Sequence, residues 1–167
     1  MTIRPATPAD VPMIAALYAH HVRHGTGTFE EVPPTEPDMA ARLAAIVARG
    51  WPWLVAEQQG RVVGYAYAAQ FRDRAAYRFT AEDSIYVAHD AVGRGVGAAL
   101  LAALIPAAAR AGFRLMVALI GDSTNAGSIA VHAGAGFRRV GLLEGAGFKF
   151  GRSIDVVLMQ REIGEGG

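Results

Sequence analysis

The amino-acid sequence predicts an α/β fold, with a mixed and mostly antiparallel sheet of six or seven strands and four helices. Two short apolar segments are joined by a tight turn, which predicts an antiparallel hairpin. Two other strands are separated by a helix-length apolar segment, and a crossover of that length joins parallel strands. The chain has 167 residues, 52% of them hydrophobic, so residues 1–167 are expected to form a single domain.

The N-terminal part predicts one strand followed by two helices. A short strand spans Thr2 to Pro5, and Thr7 and Pro8 supply an N-cap and a proline at the first helical position. Apolar residues then recur at helical spacing until His20 to Gly25. A second helix is predicted from Pro37 to Arg49.

The middle of the chain predicts three strands. Trp53–Glu57 and Val62–Ala69 flank the turn Gln58-Gln59-Gly60-Arg61 and form the hairpin. After a charged loop, Phe71 to Arg78, a third strand ends at Ile85-Tyr86-Val87. We call this third strand the central strand.

The C-terminal half predicts a helix, a strand, a short helix and two strands. An apolar helix from Val96 to Ala111 leads into a strand from Arg114 to Ile120, which must run parallel to the central strand. The remaining predicted elements are a helix over Asn125–Ala133 and strands over Phe137–Leu143 and Ser153–Arg161. Residues 144–152 are predicted to be the loop between the last two strands.

Composition and charge exclude several classes of protein. The formal net charge of +1 argues against an electrostatic nucleic-acid binder, and the lack of cysteine excludes disulfides and thiol catalysis. The longest apolar run, Val96 to Ala109, is too short to span a bilayer, and the first residues lack a signal-peptide pattern. We therefore expect a cytoplasmic enzyme with no nucleic-acid or membrane partner.

Three glycines mark the candidate ligand site. Gly93, Gly95 and Gly97 lie between the central strand and the apolar helix, where they leave backbone N–H groups uncovered. Such amides at a helix N-terminus bind phosphate oxygens, so the spacing predicts a cradle for a pyrophosphate. One reading is a dinucleotide fingerprint that includes Ala98, with Asp122 as the ribose-binding acid. Four residues separate the first glycine from the strand, whereas in the dinucleotide fingerprint the first glycine closely follows the strand, so this difference argues against that interpretation.

The same residues resemble the acyl-CoA loop of the GNAT acetyltransferase superfamily, Gln/Arg-x-x-Gly-x-Gly/Ala between a strand and a helix. Gly95 and Gly97 hold the two glycine positions, whereas Val92 stands where Gln or Arg is usual. The order of the elements also matches over nearly the whole chain. The resemblance implies acetyl-CoA as co-substrate. It implies the following binding residues: Ile85, Tyr86, Val87, Val92, Gly93, Arg94, Gly95, Val96, Gly97, Ala98, Asn125 and Ser128.

Acetyl transfer to an amine requires a base that removes the ammonium proton. Glu82, beside the central strand, is the predicted base, with Asp83 as the alternative because neighbours in a strand face opposite sides. A backbone N–H near Tyr86 or Val87 is expected to stabilise the oxyanion. His132 stands where the superfamily often has a tyrosine that protonates the leaving thiolate, and a histidine can donate that proton; the alternative is simple packing.

Within that superfamily, the chain most resembles the phosphinothricin and methionine sulfoximine N-acetyltransferases. The matching segments include Gly27-Thr28-Phe29, Trp51–Glu57, Arg72-x-Arg74-x-Ala76-Tyr77, Glu82-x-Ser84-Ile85-Tyr86-Val87 and Ala146-Gly147-Phe148-Lys149. The resemblance implies a homodimer and an amino-acid acceptor bound by Phe29, Arg72, Arg74, Tyr77 and Glu82. Arginine suits an acceptor carboxylate because its planar, charged group binds in bidentate fashion.

Several alternatives stay open. In one alternative hypothesis, the acceptor is another amine, such as an ordinary amino acid, a polyamine or a protein N-terminus. In the other, the protein is a non-catalytic acyl-CoA sensor. Glu82 has an alternative role as an ion-pair partner of Arg78. His20 and His24 have the spacing of a metal-binding pair, yet no acid or cysteine lies near them in sequence, and we expect no metal. The loop Gly25–Glu31 suits a lid over the substrate.

Overall fold

The computed structural model of this protein describes residues 1–164. Its strands are β1 (Thr2–Pro5), β2 (Trp53–Gln58), β3 (Arg61–Gln70), β4 (Thr80–Val87), β5 (Leu115–Gly121), β6 (Arg138–Lys149) and β7 (Arg152–Glu162). Its α-helices are α1 (Val11–His24), α2 (Glu36–Ala48), α3 (Val96–Arg110) and α4 (Ala126–Gly134). The strands form one seven-stranded sheet in the order β1-β2-β3-β4-β5-β7-β6. In the described residues the only parallel strand pair is β4 with β5, which confirms the predicted mixed fold.

The sheet is covered on both faces. A Cβ on Gly64 of β3 would meet Val96 and Leu100, so this residue faces α3. The next residue, Tyr65, contacts the Tyr86 ring, which in turn packs edge-on against Tyr18 of α1. Because successive residues of a strand face opposite sides, α1 and α3 lie on opposite faces of the sheet. Within residues 1–164, no helix has both the length and the apolar content needed to cross a membrane.

The C-terminal hairpin differs from its prediction. Strand β6 continues to Lys149 and pairs with β7 down to Arg152, so residues 144–149 are strand and not loop. The segment contains Gly145 and Gly147, and glycine is an uncommon residue in strands. The register with β7 shifts between Leu143 and Gly147. A bulge of this kind accommodates residues that break the regular pattern, which is why the composition predicted a loop.

Strands β4 and β5 diverge after a short contact, and this divergence creates the site. They pair only at Thr80–Glu82 with Leu115–Val117, although β4 continues to Val87 and β5 to Gly121. Residues 83–87 of β4 and 118–121 of β5 therefore border an opening in the sheet, which we call the wedge. Because β4 keeps its pairing with β3 throughout, one edge of its backbone is open to the wedge.

Candidate active site

A cavity of about 660 Å³ occupies the wedge. Its walls come from β4, β5, α4, His21 at the end of α1, residues 25–27 and residues 91–98. We call residues 92–98, which comprise the glycine-rich segment and the first residues of α3, the glycine loop. The structure brings eleven of the twelve predicted acetyl-CoA-binding residues into this wall. They are Ile85, Tyr86, Val87, Val92, Gly93, Gly95, Val96, Gly97, Ala98, Asn125 and Ser128. Arg94 does not line the cavity.

The glycine loop has the geometry of an anion cradle. Gly93 and Gly95 both have φ of +78°, a conformation that residues with a Cβ rarely adopt, and Gly95 is the N-cap of α3. A Cβ at either position would meet no atom within 4 Å, so the space beside the backbone is open. The first N–H groups of a helix have no partner inside the helix, and here they border the cavity. These residues therefore fit a pyrophosphate.

The open edge of β4 offers backbone donors to the cavity. Ala88 N–H donates to Val63 of β3, and Phe71 N–H donates to Thr80 O, so even-numbered residues of β4 direct their backbone groups to β3. By strand alternation, Asp83, Ile85 and Val87 direct theirs to the wedge. Of the two predicted oxyanion donors, Val87 directs its N–H to the wedge and Tyr86 directs its N–H towards β3; Ile85, which was not predicted for this role, also faces the wedge.

His21 of α1 fixes the end of that edge, a contact that was not predicted from the sequence. Its Nε2 lies 2.7 Å from Val87 O, and because a carbonyl only accepts, Nε2 carries the proton and donates. Burial lowers the pKa of His21, and the bond to Val87 opposes the shift. This hydrogen bond holds the Val87 carbonyl and does not use the Val87 N–H. Only the presence of a histidine cluster at the end of α1 hinted at a role.

Glu82 lies in the cavity wall with a carboxylate suited to accept a proton. Burial raises its pKa above the ordinary value; the Arg72 charge opposes the shift and the Asp83 charge adds to it. Its nearest cation is Arg72, at 3.8 Å from Nη1 to Oε2. The alternative prediction, an ion pair between Glu82 and Arg78, is wrong, because the Arg78 guanidinium donates to Ala75 O and lies over the Phe79 ring.

Asp83 is turned to the opposite face, as strand alternation predicts, and pairs with His132 of α4. His132 is 4% exposed, its Nδ1 donates to Ser128 O at 2.8 Å, and its Nε2 lies 2.8 Å from Asp83 Oδ2. Burial lowers the pKa of His132, but the hydrogen bond and charge of Asp83 outweigh burial and raise it overall. The arrangement favours an imidazolium beside a carboxylate. Both ring nitrogens are hydrogen-bonded within the protein, and donation of a proton to the thiolate by His132 stays a prediction.

Two further residues beside the cavity have structural duties. Asn125 Oδ1 accepts from Ser128 N and caps α4, and its Nδ2 donates to Gly121 O at 3.4 Å, so one N–H of the side chain is left for a ligand. Asp122 is paired with Arg152 at 2.7 Å, and this bond lowers its pKa to about 2. A carboxylate so engaged is not free for a ribose. The mostly antiparallel sheet also differs from the parallel dinucleotide-binding fold, so that reading is wrong.

Three of the predicted acceptor residues, Arg72, Arg74 and Tyr77, lie together in the loop before β4. Arg72 is half exposed and lies over the Phe71 ring. The ring of Tyr77 packs edge-on against the same ring, and Arg74 is exposed in the same loop. Phe29 lies across the wedge, against Gly121 of β5. These four side chains do not line the cavity itself, so Glu82 is the one predicted acceptor residue that does.

The histidines at the end of α1 do not form a metal centre in the described residues. The ring of His20 is 4.7 Å from that of His24 and stacks at 4.5 Å on that of His89. Across residues 1–164, no group of three or more His, Cys, Asp or Glu side chains is arranged to hold a metal ion. The cluster is therefore a set of stacked rings.

Known proteins similar to this chain share its full length. The family model for the acetyltransferase (GNAT) domain matches residues 3–158. The chain is 52% identical over 165 residues to a phosphinothricin N-acetyltransferase from Alcaligenes faecalis, covering 99% of this chain and 84% of that protein. It is 40% identical over 160 residues to an L-methionine sulfoximine/L-methionine sulfone acetyltransferase from Pseudomonas paraeruginosa, covering 95% of this chain and 92% of that protein.

A solved structure shows the same architecture. The crystal structure of a GNAT superfamily phosphinothricin acetyltransferase from Sinorhizobium meliloti, in complex with AcCoA, matches with a TM-score of 0.95 at 46% identity. The match covers 99% of this chain and 89% of that one. Fold and sequence similarity therefore agree along the whole chain.

Proposed function

This chain belongs to the GNAT acetyltransferase family, and on that premise we propose that it transfers the acetyl group of acetyl-CoA to the α-amino group of a small amino acid or amino-acid analogue. Phosphinothricin and methionine sulfoximine are the acceptors that its relatives' names indicate. The observation that carries the proposal is the wedge: one cavity joins a phosphate cradle at the glycine loop to the carboxylate of Glu82. Such a cavity suits a long thioester with its reactive end beside a base.

The chain's own backbone binds the co-substrate in this proposal. The glycine loop takes the pyrophosphate on the free amides at the start of α3. The open edge of β4 then hydrogen-bonds the pantetheine arm, and the amide of Asn125 adds a donor from α4. When bound, acetyl-CoA supplies the activated acetyl group. The N–H of Val87 or Ile85 stabilises the charge that develops on the acetyl oxygen, since a fixed donor in a cavity costs no reorganisation.

Glu82 removes the proton from the acceptor ammonium. Its raised pKa brings it closer to neutral pH, where a base is most effective because it is both ionised and basic enough. The freed amine attacks the thioester carbonyl carbon, so that the C–N bond forms while the carbonyl π electrons move to the oxygen. When this intermediate collapses, the C–S bond breaks, CoA leaves as a thiolate, and a second proton passes from the nitrogen to the sulfur or to water. Asp83 is unsuited to this role because it faces α4 and is already bonded to His132.

In this proposal His132 acts at the part of the wedge that holds the sulfur atom of acetyl-CoA. Asp83 holds it as a buried imidazolium, so it places a positive charge beside the cavity where a thiolate leaves. A cation in a buried site stabilises developing negative charge more than it would in water. Its Nε2 proton reaches the sulfur only if the bond to Asp83 opens, so we assign His132 as electrostatic support with proton donation as its second step.

The acceptor carboxylate binds to Arg72 or Arg74. Arg72 supports the assignment because its guanidinium lies 3.8 Å from the Glu82 carboxylate. An α-amino acid carries its amine and its carboxylate on the same carbon, so the two groups are equally close together. One side chain can therefore take the carboxylate while its neighbour takes the ammonium proton. A polyamine is disfavoured, since it would place cations beside two arginines.

One assay separates this function from its alternatives. Purified protein is incubated with acetyl-CoA and a panel of acceptors: phosphinothricin, methionine sulfoximine, ordinary amino acids, a polyamine and a peptide with a free N-terminus. Release of free CoA is measured. Release with the amino-acid analogues alone supports the proposal, and release with another class reassigns the acceptor. Acetyl-CoA binding without release identifies a sensor.

We further propose a homodimer that works in the cytoplasm. Strand β6 is an edge of the sheet, and such an edge offers unpaired backbone groups to a second chain. It also exposes apolar side chains, which mark interaction surfaces when they are contiguous: Val140, Leu142, Leu143 and Phe148, with Phe150 in the turn. The location follows from acetyl-CoA, a charged molecule that does not cross membranes. Sedimentation at micromolar concentration and cell fractionation test the two statements.

A further inference from the structure

The chain contains a single lysine, and it lies in the interior. Lys149 is 1% exposed, and its Nζ donates to Gly25 O at 2.8 Å and Thr28 O at 2.9 Å. No carboxylate in residues 1–164 forms an ion pair with it. Burial lowers its pKa. Since burying an amine is costly unless it is hydrogen-bonded, the two carbonyls are what keep Lys149 inside, and in return it ties the loop after α1 to β6.

Two glycines provide a slot for the ring of Phe29. A Cβ on Gly147 would lie 2.5 Å from two carbons of the ring, and a Cβ on Gly121 would lie 3.2 Å from a third. Gly121 also lets the loop approach closely, because its Cβ would lie 2.2 Å from Thr26 O. Neither position has a left-handed backbone. Here glycine is required for the close approach of the loop and not for its φ.

The same loop is tied down on its other side. The hydroxyls of Tyr18 and Thr28 lie 2.8 Å apart, and Glu30 pairs with Arg42 of α2 at 2.7 Å. With Lys149 on β6, these contacts hold residues 25–30 between α1, α2 and the C-terminal hairpin. The loop that was expected to be a lid is therefore held by contacts on several sides, and the Phe29 ring is in close contact with Gly121 and Gly147 while 39% of the residue stays exposed.

From these contacts we infer that Gly147 and Lys149 of β6 determine acceptor specificity: Gly147 admits the Phe29 ring and Lys149 fixes the loop that carries it. They are positioning residues, since neither lines the cavity. The inference rests on the proposed function, in which Phe29 lines the acceptor site. It adds that the selecting element is the C-terminal hairpin, a part of the chain distant from the acceptor loops in sequence.

The test compares matched substitutions on one strand. Gly147→Ala places a Cβ against Phe29, whereas Gly141→Ala, also on β6, places one at ordinary contact distance from Leu158. Lys149→Met removes the donors while keeping the length of the side chain, and Lys149→Gln restores an amide donor. Phe29→Leu tests the ring itself. Acceptor KM, acetyl-CoA KM and thermal unfolding are measured for each variant.

We expect Gly147→Ala and Lys149→Met to raise the acceptor KM about ten- to a hundredfold, the usual cost of a displaced positioning group. The acetyl-CoA KM should stay within about twofold, because the glycine loop is untouched. Gly141→Ala should match the parent enzyme, and Lys149→Gln should recover part of the loss. Adding Phe29→Leu to Gly147→Ala should cost less than the sum of the two, since the smaller side chain leaves room for the Cβ.

Three results would overturn the inference. If Phe29→Leu raises the acceptor KM but Gly147→Ala and Lys149→Met do not, the hairpin has no role in selection and the proposed function stands. If Lys149→Met only lowers the unfolding temperature, Lys149 is a stability residue. If none of the variants, Phe29→Leu included, changes acceptor kinetics in an active enzyme, Phe29 is not in the acceptor site. Failure of the parent protein to acetylate any acceptor would instead reject the proposed function.

Discussion

The carboxylate of Asp83 lies 2.8 Å from Nε2 of His132, and both residues are buried between β4 and α4. Because Asp83 raises the pKa of His132 above its ordinary value, the pair stabilises the folded state most at low pH. The contribution is complete below the unfolded pKa of about 6.5 and is lost as pH rises through the raised folded value. The pair therefore gives the protein a stability that decreases as the pH rises above the unfolded value and through the raised folded value of His132.

Replacing Asp83 by Asn tests this linkage. The amide can still donate to a neutral His132, but it cannot favour the imidazolium. We expect Asp83→Asn to lose about 1.5–3 kcal/mol of unfolding free energy at pH 6, the worth of a charged hydrogen bond, and clearly less at pH 9. Urea unfolding at both pH values measures the difference. Equal losses at the two pH values would show that His132 is neutral in the parent protein.

Glu82→Gln separates an enzyme from a sensor. Removing the base should lower kcat about 10²- to 10⁴-fold near neutral pH, the range for general base catalysis. Acetyl-CoA binding should persist because the glycine loop is unchanged. Raising the pH should recover part of the rate, since the acceptor then loses its proton without help. A folded Glu82→Gln enzyme with the parent's kcat between pH 6 and 9 would remove this residue from the mechanism.

Arg72→Ala should raise the acceptor KM about ten- to a hundredfold, because one charge-assisted contact is worth about 1.5–3 kcal/mol. The acetyl-CoA KM should hardly change. Arg78→Ala is the matched control: it removes the same charge from the same loop, but its guanidinium folds back on Ala75 and Phe79. If Arg72→Ala behaves like the control, the carboxylate contact passes to Arg74, and Arg74→Ala should then show the effect.

The glycine loop is best tested at Gly97. Gly95 has a left-handed φ, so any substitution there also strains the backbone. A Cβ on Gly97 meets only Val87 and Val131 at 3.7 Å. Gly97→Ala should leave the fold intact and weaken acetyl-CoA binding about tenfold, or 1.4 kcal/mol. Gly134→Ala in α4 is the control, with open space around it. Calorimetric titration of the two variants with acetyl-CoA decides the matter; equal affinities would reject the assignment.

The sequence predicted the strand order around the glycine loop because it depends on local signals: apolar runs, a turn at Gln59-Gly60 and a helix-length crossover. Strand alternation also predicted that Glu82 and Asp83 face opposite sides of β4, and Asp83 is indeed turned to His132 while Glu82 pairs with Arg72. It did not reveal that Asp83 meets His132, since alternation tells which face a side chain occupies and not which helix covers that face. The role of Lys149 was out of reach for the same reason, because its partners lie 121 and 124 residues away.

The interior position of Lys149 has a chemical consequence beyond the loop that it holds. Acetyl-CoA is a thioester, and thioesters slowly acylate exposed lysine amines without any catalyst. This chain has fifteen arginines and one lysine, and that lysine is 1% exposed. The surface therefore offers its own co-substrate no lysine side chain to modify, so the protein is expected to resist acetylation of its lysine during turnover. Lysine-directed dyes and cross-linkers should likewise leave the folded side chains unlabelled and mark Lys149 only after unfolding.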